Sequence, residues 1–252
     1  MIRPAPAWPL PRLFAHRCGG ALAPENTLAG LVVAARLGCR AVEFDVMLSA
    51  DGTPWLIHDE TLERTTDGSG RVAATPDVLL AKLDAGIRQH PAFSGEPVPT
   101  LAAAAALCRR LGLQANVEIK PASGYEALTG EVVARAIGEL WRDSAAPLVS
   151  SFSFAALAAA RCVAPQLPLG CLWTQPPADW RAPFDELRAF SVHCAAEGLS
   201  DNFLVAASAA GAPVLCYTVN DAEQAAALWR RGVSALFSDR PERLLPAAAL
   251  HD

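Results

Sequence analysis

The chain has 252 residues, 52% apolar and 19% charged, with a formal net charge of −5. A chain of this length buries roughly 70 to 75% of the surface its unfolded form exposes, so one domain with a substantial core is expected. The low charge density excludes a disordered chain, and an acidic balance with scattered arginines argues against nucleic acid as a partner.

Seven cysteines, Cys18, Cys39, Cys108, Cys162, Cys171, Cys194 and Cys216, form no C-x-x-C pair, and their odd number completes no disulfide framework. The proline-rich opening "MIRPAPAWPLPRLF" lacks the apolar core of a secretory signal. No run of 18 apolar residues occurs, so stable membrane insertion is not expected. These features together predict a soluble cytoplasmic protein; the oligomeric state is not legible from them.

In chain order, the predicted strands are 12–16, 41–48, 114–120, 147–152, 167–173, 189–194, 213–219 and 234–238. Helical patterns lie between them at about 26–37, 99–111, 124–142, 153–163, 183–188, 199–210 and 220–231. Eight strands alternating with helices over about 250 residues have the count and size of a TIM (β/α)8 barrel, with a doubly wound open sheet as the competitor. Asn26 is the expected N-cap of the first helix and Gly38 its stop. Asn220 is the expected cap of the helix that ends at Gly232. Residues 59–98, rich in turn formers and charge, interrupt the alternation and are expected to form a small insertion covering one mouth of a single-domain barrel.

Alternation along "AVEFDVML" sends Val42, Phe44, Val46 and Leu48 to one face and Glu43, Asp45 and Met47 to the other. In "NVEIK", Asn116, Glu118 and Lys120 share a face. Parallel barrel strands are covered on both sides, so unpaired charges there cost several kcal/mol each. The charges are therefore expected to meet one another, or a metal, at the C-terminal mouth. Glu43, Asp45 and Glu118 offer hard oxygen ligands suited to one divalent cation, Mg2+ or Ca2+, rather than zinc. The competing explanation is structural salt bridging to Arg17 and Lys120.

His16 and His58 each end a short apolar run, where a strand emerges at a mouth, and can divide general acid and base duty at neutral pH. His90, His193 and His251 are read as structural, although His193 on a barrel strand could reach the site. Arg17 offers a planar fork and Lys120 a point charge to phosphate oxygens. The set describes metal-assisted phosphoryl transfer.

"AHRCGGALAPENTLAG", "GCRAVEFDVMLSADGTPWLIHDETLERTTDGSGRV", "ANVEIK", "CYTVND" and "LFSDRPE" resemble the glycerophosphodiester phosphodiesterase family. That family shares its barrel with the phosphatidylinositol-specific phospholipases C. The resemblance spans nearly the whole chain. It implies His16 and His58 as the catalytic acid/base pair; His16 as base and His58 as acid is the preferred assignment, and the sequence leaves the reverse one open. It further implies Glu43, Asp45 and Glu118 as ligands of one cation, and Arg17 and Lys120 as phosphate-holding residues. Glu25, in the "PENT" element, is expected to support the loop and the cap. The implied reaction converts a small glycerophosphodiester into sn-glycerol 3-phosphate and an alcohol. A lysophospholipase D-like enzyme is the alternative, for which "VLLAKLDAGI" and Phe93 would supply an apolar rim; a non-catalytic phosphate binder would lack a ligand or a histidine. Two departures stand out: Cys18 replaces the family's glycine after His-Arg, and Tyr217 replaces a tryptophan, where an aromatic wall against the substrate is expected.

Overall fold

The computed structural model describes residues 8–248. Eight strands run parallel: β1 (Leu13–Ala15), β2 (Ala41–Leu48), β4 (Gln114–Ile119), β5 (Leu148–Ser151), β6 (Leu169–Trp173), β7 (Ser191–Ala195), β8 (Val214–Tyr217) and β9 (Ala235–Ser238). They lie in the order β1-β9-β8-β7-β6-β5-β4-β2, and pairing of Phe14 with Ala41 joins β1 to β2 and closes the barrel. Closure removes the open-sheet alternative. A short strand, β3 (Pro54–Leu56), folds back antiparallel on the end of β2, so the chain turns once at the mouth before the insertion begins.

The helices are α1 (Leu28–Leu37), α2 (Asp77–Leu80), α3 (Leu101–Leu111), α4 (Glu126–Leu140), α5 (Phe154–Val163), α6 (Arg181–Glu186), α7 (Asp201–Ala210), α8 (Ala222–Arg230) and α9 (Pro241–Ala248). Outward-facing Val42, Phe44 and Val46 of β2 share one core with Leu31 of α1, Leu101 and Ala104 of α3, and Val133 and Ile137 of α4. Each such leucine or phenylalanine contributes roughly 1.5–3 kcal/mol through its burial. Inward-facing Phe14, Ala41, Leu148, Leu215, Ala235 and Phe237 form a separate apolar cluster inside the barrel. The helical pattern did not place α9, which starts at Pro241, a residue whose missing N–H and fixed φ suit a first helical position. None of the helices among the described residues is long and apolar enough to cross a membrane.

Both expected caps are shifted by one residue. Thr27, not Asn26, caps α1 by accepting from the Gly30 N–H, and Asp221, not Asn220, caps α8 by accepting from Gln224. Gly38 ends α1 at φ 91°, in the left-handed region.

Residues 59–98 contain α2, two single turns of 3-10 helix and the isolated bridges Thr61 to Arg71 and Asp84 to Pro97. Leu62, Val72, Leu80, Ala85 and Val98 build a satellite core against Met47, Trp55 and Ile57. Asp84 organises the second half by accepting from the N–H groups of Gly86, Ile87 and Gly95 at 2.7–2.9 Å. Glu96 ties the segment to α1 through the Ala29 N–H, 2.9 Å away. Of the apolar run 78–87, Leu80 and Ala85 are buried, while Val78, Leu79 and Ile87 are exposed.

Candidate active site

Strands β2 and β4 pair Asp45 with Glu118 and Glu43 with Asn116, so the inward-facing polar residues of the two strands stand side by side. One oxygen from each of Glu43, Asp45 and Glu118 lies within 4.8 Å of the others. Asp45 accepts from Asn26 Nδ2 at 2.8 Å and its N–H donates to Asn26 Oδ1 at 3.0 Å. Glu43 Oε2 accepts from the Arg17 N–H at 2.9 Å, but Glu43 Oε1 is buried without a protein partner. Lys120 Nζ is 3.2 Å from Glu118 and 3.8 Å from Asp45, and Arg17 Nε is 3.9 Å from Asp45.

These cations do not neutralise the cluster. Burial, then repulsion from Asp45 and Glu118, holds the Glu43 carboxyl well above its ordinary range. Burial and Asp45 push Glu118 up to about 7 against the pull of Lys120. Three crowded carboxylates with one orphaned oxygen make a donor set that a hard divalent cation fits.

The two histidines are built alike. His16 Nδ1 donates to Asp239 at 2.7 Å, and His58 Nδ1 donates to Asp59 at 2.7 Å. A carboxylate on Nδ1 fixes ring orientation and leaves Nε2 available for chemistry. His16 Nε2 lies 3.7 Å from Glu43, whereas His58 Nε2 accepts from Lys120 Nζ at 3.1 Å. Burial lowers the pKa of His58, helped by Lys120 and Arg17 and opposed by Asp45 and Asp59. The Arg64 hydrogen bond, joined by that of His58, holds Asp59 down at about 2. Burial raises Asp239, but the hydrogen bond and charge of His16, with Asn220 and Arg17, together outweigh it and the carboxyl stays below its ordinary value.

A ladder of ion pairs runs behind His58. Arg64 of the insertion donates through Nε to Asp59 and through both terminal nitrogens to Glu25, at 2.7 and 2.8 Å. Glu25 in turn accepts from Arg17 at 3.0 Å. Glu25 thus joins the first loop to the insertion, a firmer role than loop support.

The mouth opens into a cavity of about 250 Å³ lined by His16, Arg17, the three carboxylates, His58 and Lys120. The ring of Tyr217 lines it too, with its hydroxyl turned away to donate to the Trp173 carbonyl at 2.9 Å. Phe152, half exposed, meets Tyr217 edge-on at 6.2 Å and carries Lys120 Nζ 5.8 Å from its ring centre. Every residue expected at the site is therefore brought to one place. The sequence reading missed Asp59, Asp239, Arg64 and Asn26; Asp59 and Asp239 directly follow a site histidine and a barrel strand, which is the signal available for them. His193 also lines this cavity, buried to 1% exposure. His90 caps a 3-10 turn by accepting from Ala92, in keeping with a structural role, and His251 lies outside the described residues.

Cys18 adopts φ 76° and Arg17 φ 48°, so the strain of the His-Arg-Cys turn sits on these residues, while neighbouring Gly20 has φ 60°. Side chains at such angles cost roughly 1–2 kcal/mol. The turn aims the Arg17 and Cys18 N–H groups at Glu43, the first at its carboxylate and the second at its carbonyl, 2.7 Å away.

A parallel barrel whose C-terminal mouth gathers carboxylates, imidazoles and cations carries the groups of an enzyme active site. The sequence model of the glycerophosphoryl diester phosphodiesterase family matches residues 16–243. A glycerophosphodiester phosphodiesterase of Caldanaerobacter subterraneus subsp. tengcongensis is 32% identical over 239 residues, 92% of this chain and 96% of its own. An Oleispira antarctica phosphodiesterase, solved in complex with the product sn-glycerol 3-phosphate, matches with a TM-score of 0.92 at 35% identity, covering 95% of this chain and 97% of that one. A glycerophosphodiester phosphodiesterase from Agrobacterium tumefaciens strain C58 matches with a TM-score of 0.78 at 27% identity, over 95% of this chain and 100% of that one. The chain belongs to the glycerophosphoryl diester phosphodiesterase family and is a phosphodiester hydrolase.

Proposed function

We propose that this chain hydrolyses small glycerophosphodiesters to sn-glycerol 3-phosphate and an alcohol, using one Mg2+ or Ca2+ ion and the imidazoles of His16 and His58. The observation that carries this reading is the meeting, at one mouth, of three mutually repelling carboxylates and two histidines that each have Nδ1 committed to a carboxylate.

Glu43, Asp45 and Glu118 would hold the cation, which when bound supplies charge to offset theirs and polarises a phosphoryl oxygen. Arg17 and Lys120 meet the phosphate and stabilise charge that grows on its oxygens. Proton movement falls to the two Nε2 atoms. His16 takes a proton from the nucleophile, either water or the glycerol 2-hydroxyl. His58 gives a proton from Nε2 to the leaving alkoxide; for this Lys120 must first release that nitrogen, which then takes up a proton from solvent, and an incoming phosphate favours both by drawing the ammonium toward itself and adding negative charge beside the ring. Tyr217 and Phe152 supply an aromatic wall. Residues 59–98 cover the mouth and, through Asp59 and Arg64, hold His58. The single-domain barrel works on a small molecule in the cytoplasm. Most of the residues that line the cavity carry polar or charged side chains, which supports a short polar diester over the long-chain lipid alternative.

Release of sn-glycerol 3-phosphate from glycerophosphocholine, followed by a coupled assay, tests the reading. Turnover should stop on exhaustive chelation and return with Mg2+ or Ca2+, and His16→Ala should be folded but inactive. Full activity in the chelated protein removes the metal, and full activity in His16→Ala removes the assigned imidazole.

A further inference from the structure

Beside and just inside the carboxylates, the barrel interior departs from the branched apolar filling expected of it. The N-terminal end is filled in the ordinary way by Phe14, Ala41, Leu148, Leu215 and Ala235. Each stands two residues before a cavity-lining residue of the same strand, namely His16, Glu43, Ser150, Tyr217 and Phe237. Between this plug and the mouth lies a polar tier on β4, β5 and β7. Asn116 Nδ2 donates to Ser150 Oγ at 3.0 Å, and His193 Nε2 lies 2.9 Å from Ser191 Oγ. On β6, between Ser150 and His193, the residue is Gly170, and a Cβ there would come within 2.5 Å of His193 Nε2. The missing side chain is what lets the imidazole lie across the barrel, with Phe237 against its other side at 5.3 Å between ring centres.

Asn116, Ser150 and His193 are each 1% exposed and all line the active-site cavity. Two of their polar atoms have no protein partner, Asn116 Oδ1 and His193 Nδ1. Because Nδ2 of Asn116 is committed to Ser150, its free atom is an acceptor. When the Ser191 hydroxyl donates to Nε2, the free nitrogen of the neutral His193 ring is an N–H donor. One unmet acceptor on β4 and one unmet donor on β7, both from residues lining the same cavity, match a hydroxyl group, which donates once and accepts once. An apolar or anionic group satisfies only one of them or neither.

We propose that Asn116, Ser150 and His193 form a shelf that recognises the terminal primary hydroxyl of the substrate's glycerol moiety, with Asn116 Oδ1 accepting from it and His193 Nδ1 donating to it. This rests on the reading above that the glycerophosphoryl half enters the cavity. Asn116, the register partner of Glu43, stands two residues before Glu118 on β4, about 6–7 Å along the strand. A phosphate held level with Asp45 and Glu118, with a three-carbon polyol hanging from it, spans that distance. The primary hydroxyl is the substrate atom furthest from phosphorus along that chain, and the secondary hydroxyl remains free for the cation or for attack.

The test compares kcat/KM for glycerophosphocholine and for its analogue in which propane-1,2-diol replaces glycerol, so that the secondary hydroxyl is kept and only the primary one is lost. Wild-type protein with its cation should prefer glycerophosphocholine by roughly ten- to a hundredfold, because the analogue leaves two buried polar atoms unpaired. Asn116→Leu and His193→Phe should each bring that ratio toward one, whereas general loosening of the barrel would slow both diesters together. A wild-type ratio near one overturns the shelf while leaving the diesterase reading intact, since the tier then holds only water. Variants that keep the wild-type ratio overturn it as well. If neither diester is cleaved, the diesterase reading fails and the shelf with it. The wild-type ratio needs no variant to fold.

Discussion

Arg64 stands midway in the alternation His58, Asp59, Arg64, Glu25, Arg17, and it is the one member contributed by the interior of the insertion. Its side chain is nearly half exposed, so removing it should cost stability no more than about 1 kcal/mol. Its effect on the site should be larger. Without it Asp59 loses the partner that holds its carboxylate in place, and the His58 ring loses a fixed orientation. We expect Arg64→Ala to lower kcat about tenfold to a hundredfold with little change in the unfolding midpoint, and Arg64→Lys to recover only part, because an ammonium cannot pair with Glu25 through two parallel bonds. Unchanged kcat in Arg64→Ala would separate the ladder from the chemistry. Cys18 is the other residue whose role is set by its own backbone. Its Cβ packs on Gly30, where an added Cβ would sit 2.8 Å away, and the residue is fully buried at φ 76°. Cys18→Gly relieves the left-handed strain but gives up the buried sulfur, two effects of about 1 kcal/mol and opposite sign. Cys18→Val adds a β-branch to a left-handed residue in a closed space and should cost more than about 2 kcal/mol. Urea unfolding should therefore rank glycine near wild type and valine far below; equal midpoints for the two variants would show that the turn relaxes freely.

At the scale of elements, the two displaced caps share one cause. Asn26 and Thr27 are both good N-caps, as are Asn220 and Asp221, and a sequence offers no way to choose within each pair. In both, the asparagine is drawn into the mouth: Asn26 makes two hydrogen bonds to Asp45, and Asn220 accepts from the Asp239 N–H at 2.8 Å and from Ser238 Oγ at 3.1 Å. The following residue is then left to start the helix. The division predicts different losses. Thr27→Ala should cost about 1 kcal/mol of stability through the cap and leave the site chemistry intact. Asn26→Ala should instead weaken cation binding, measured by titration calorimetry, because it frees a buried Asp45 oxygen to turn. Equal cation affinity in both variants would contradict the assignment. The same contrast explains what was legible beforehand. Glu43, Asp45 and Glu118 announce themselves because charges interrupt strands that ought to be apolar on both faces. His16 and His58 do so by ending such runs. Arg64 and Asn26 are ordinary loop residues with no pattern to break, and Asp239 is marked only by its place just after a barrel strand; their roles exist only once β9, the insertion and the first loop converge. Helix α9 was hidden by its two prolines, Pro241 and Pro246, which read as breakers although the first sits where a helix begins.

For the molecule as a whole, the site is a source of instability that a bound cation would reverse, and pH separates the two conditions. Glu118 rises to about 7 from an ordinary 4.5, and Glu43 moves in the same direction. Between pH 4.5 and 7 the folded, cation-free chain therefore holds protons that the unfolded chain has released, and its stability falls as pH rises. His193 acts in the opposite sense. Burial depresses it from 6.5 to about 3, so between those values the unfolded chain binds the proton, and stability falls as pH drops. The slopes oppose each other from 4.5 to 6.5, leaving His193 dominant below that window and the carboxylates above it. Cation-free protein should accordingly be most stable inside the window and lose stability from about pH 6.5 to 7. Mg2+ or Ca2+ at a hundred times its dissociation constant should add about 2.7 kcal/mol, a rise in Tm of roughly 5–10 °C for a chain of this size. Since the ion binds the deprotonated cluster, the gain should grow with pH and remove the fall above 6.5. Glu118→Gln should raise the cation-free Tm at pH 7.5 by deleting one of three repelling charges, and should shrink the response to added ion. Scanning calorimetry from pH 4 to 8, with and without the ion, measures all of this. A cation-free Tm that keeps climbing through pH 7, or a Glu118→Gln protein that still gains the full shift, would show that the three carboxylates are not strained together and that the ion binds elsewhere.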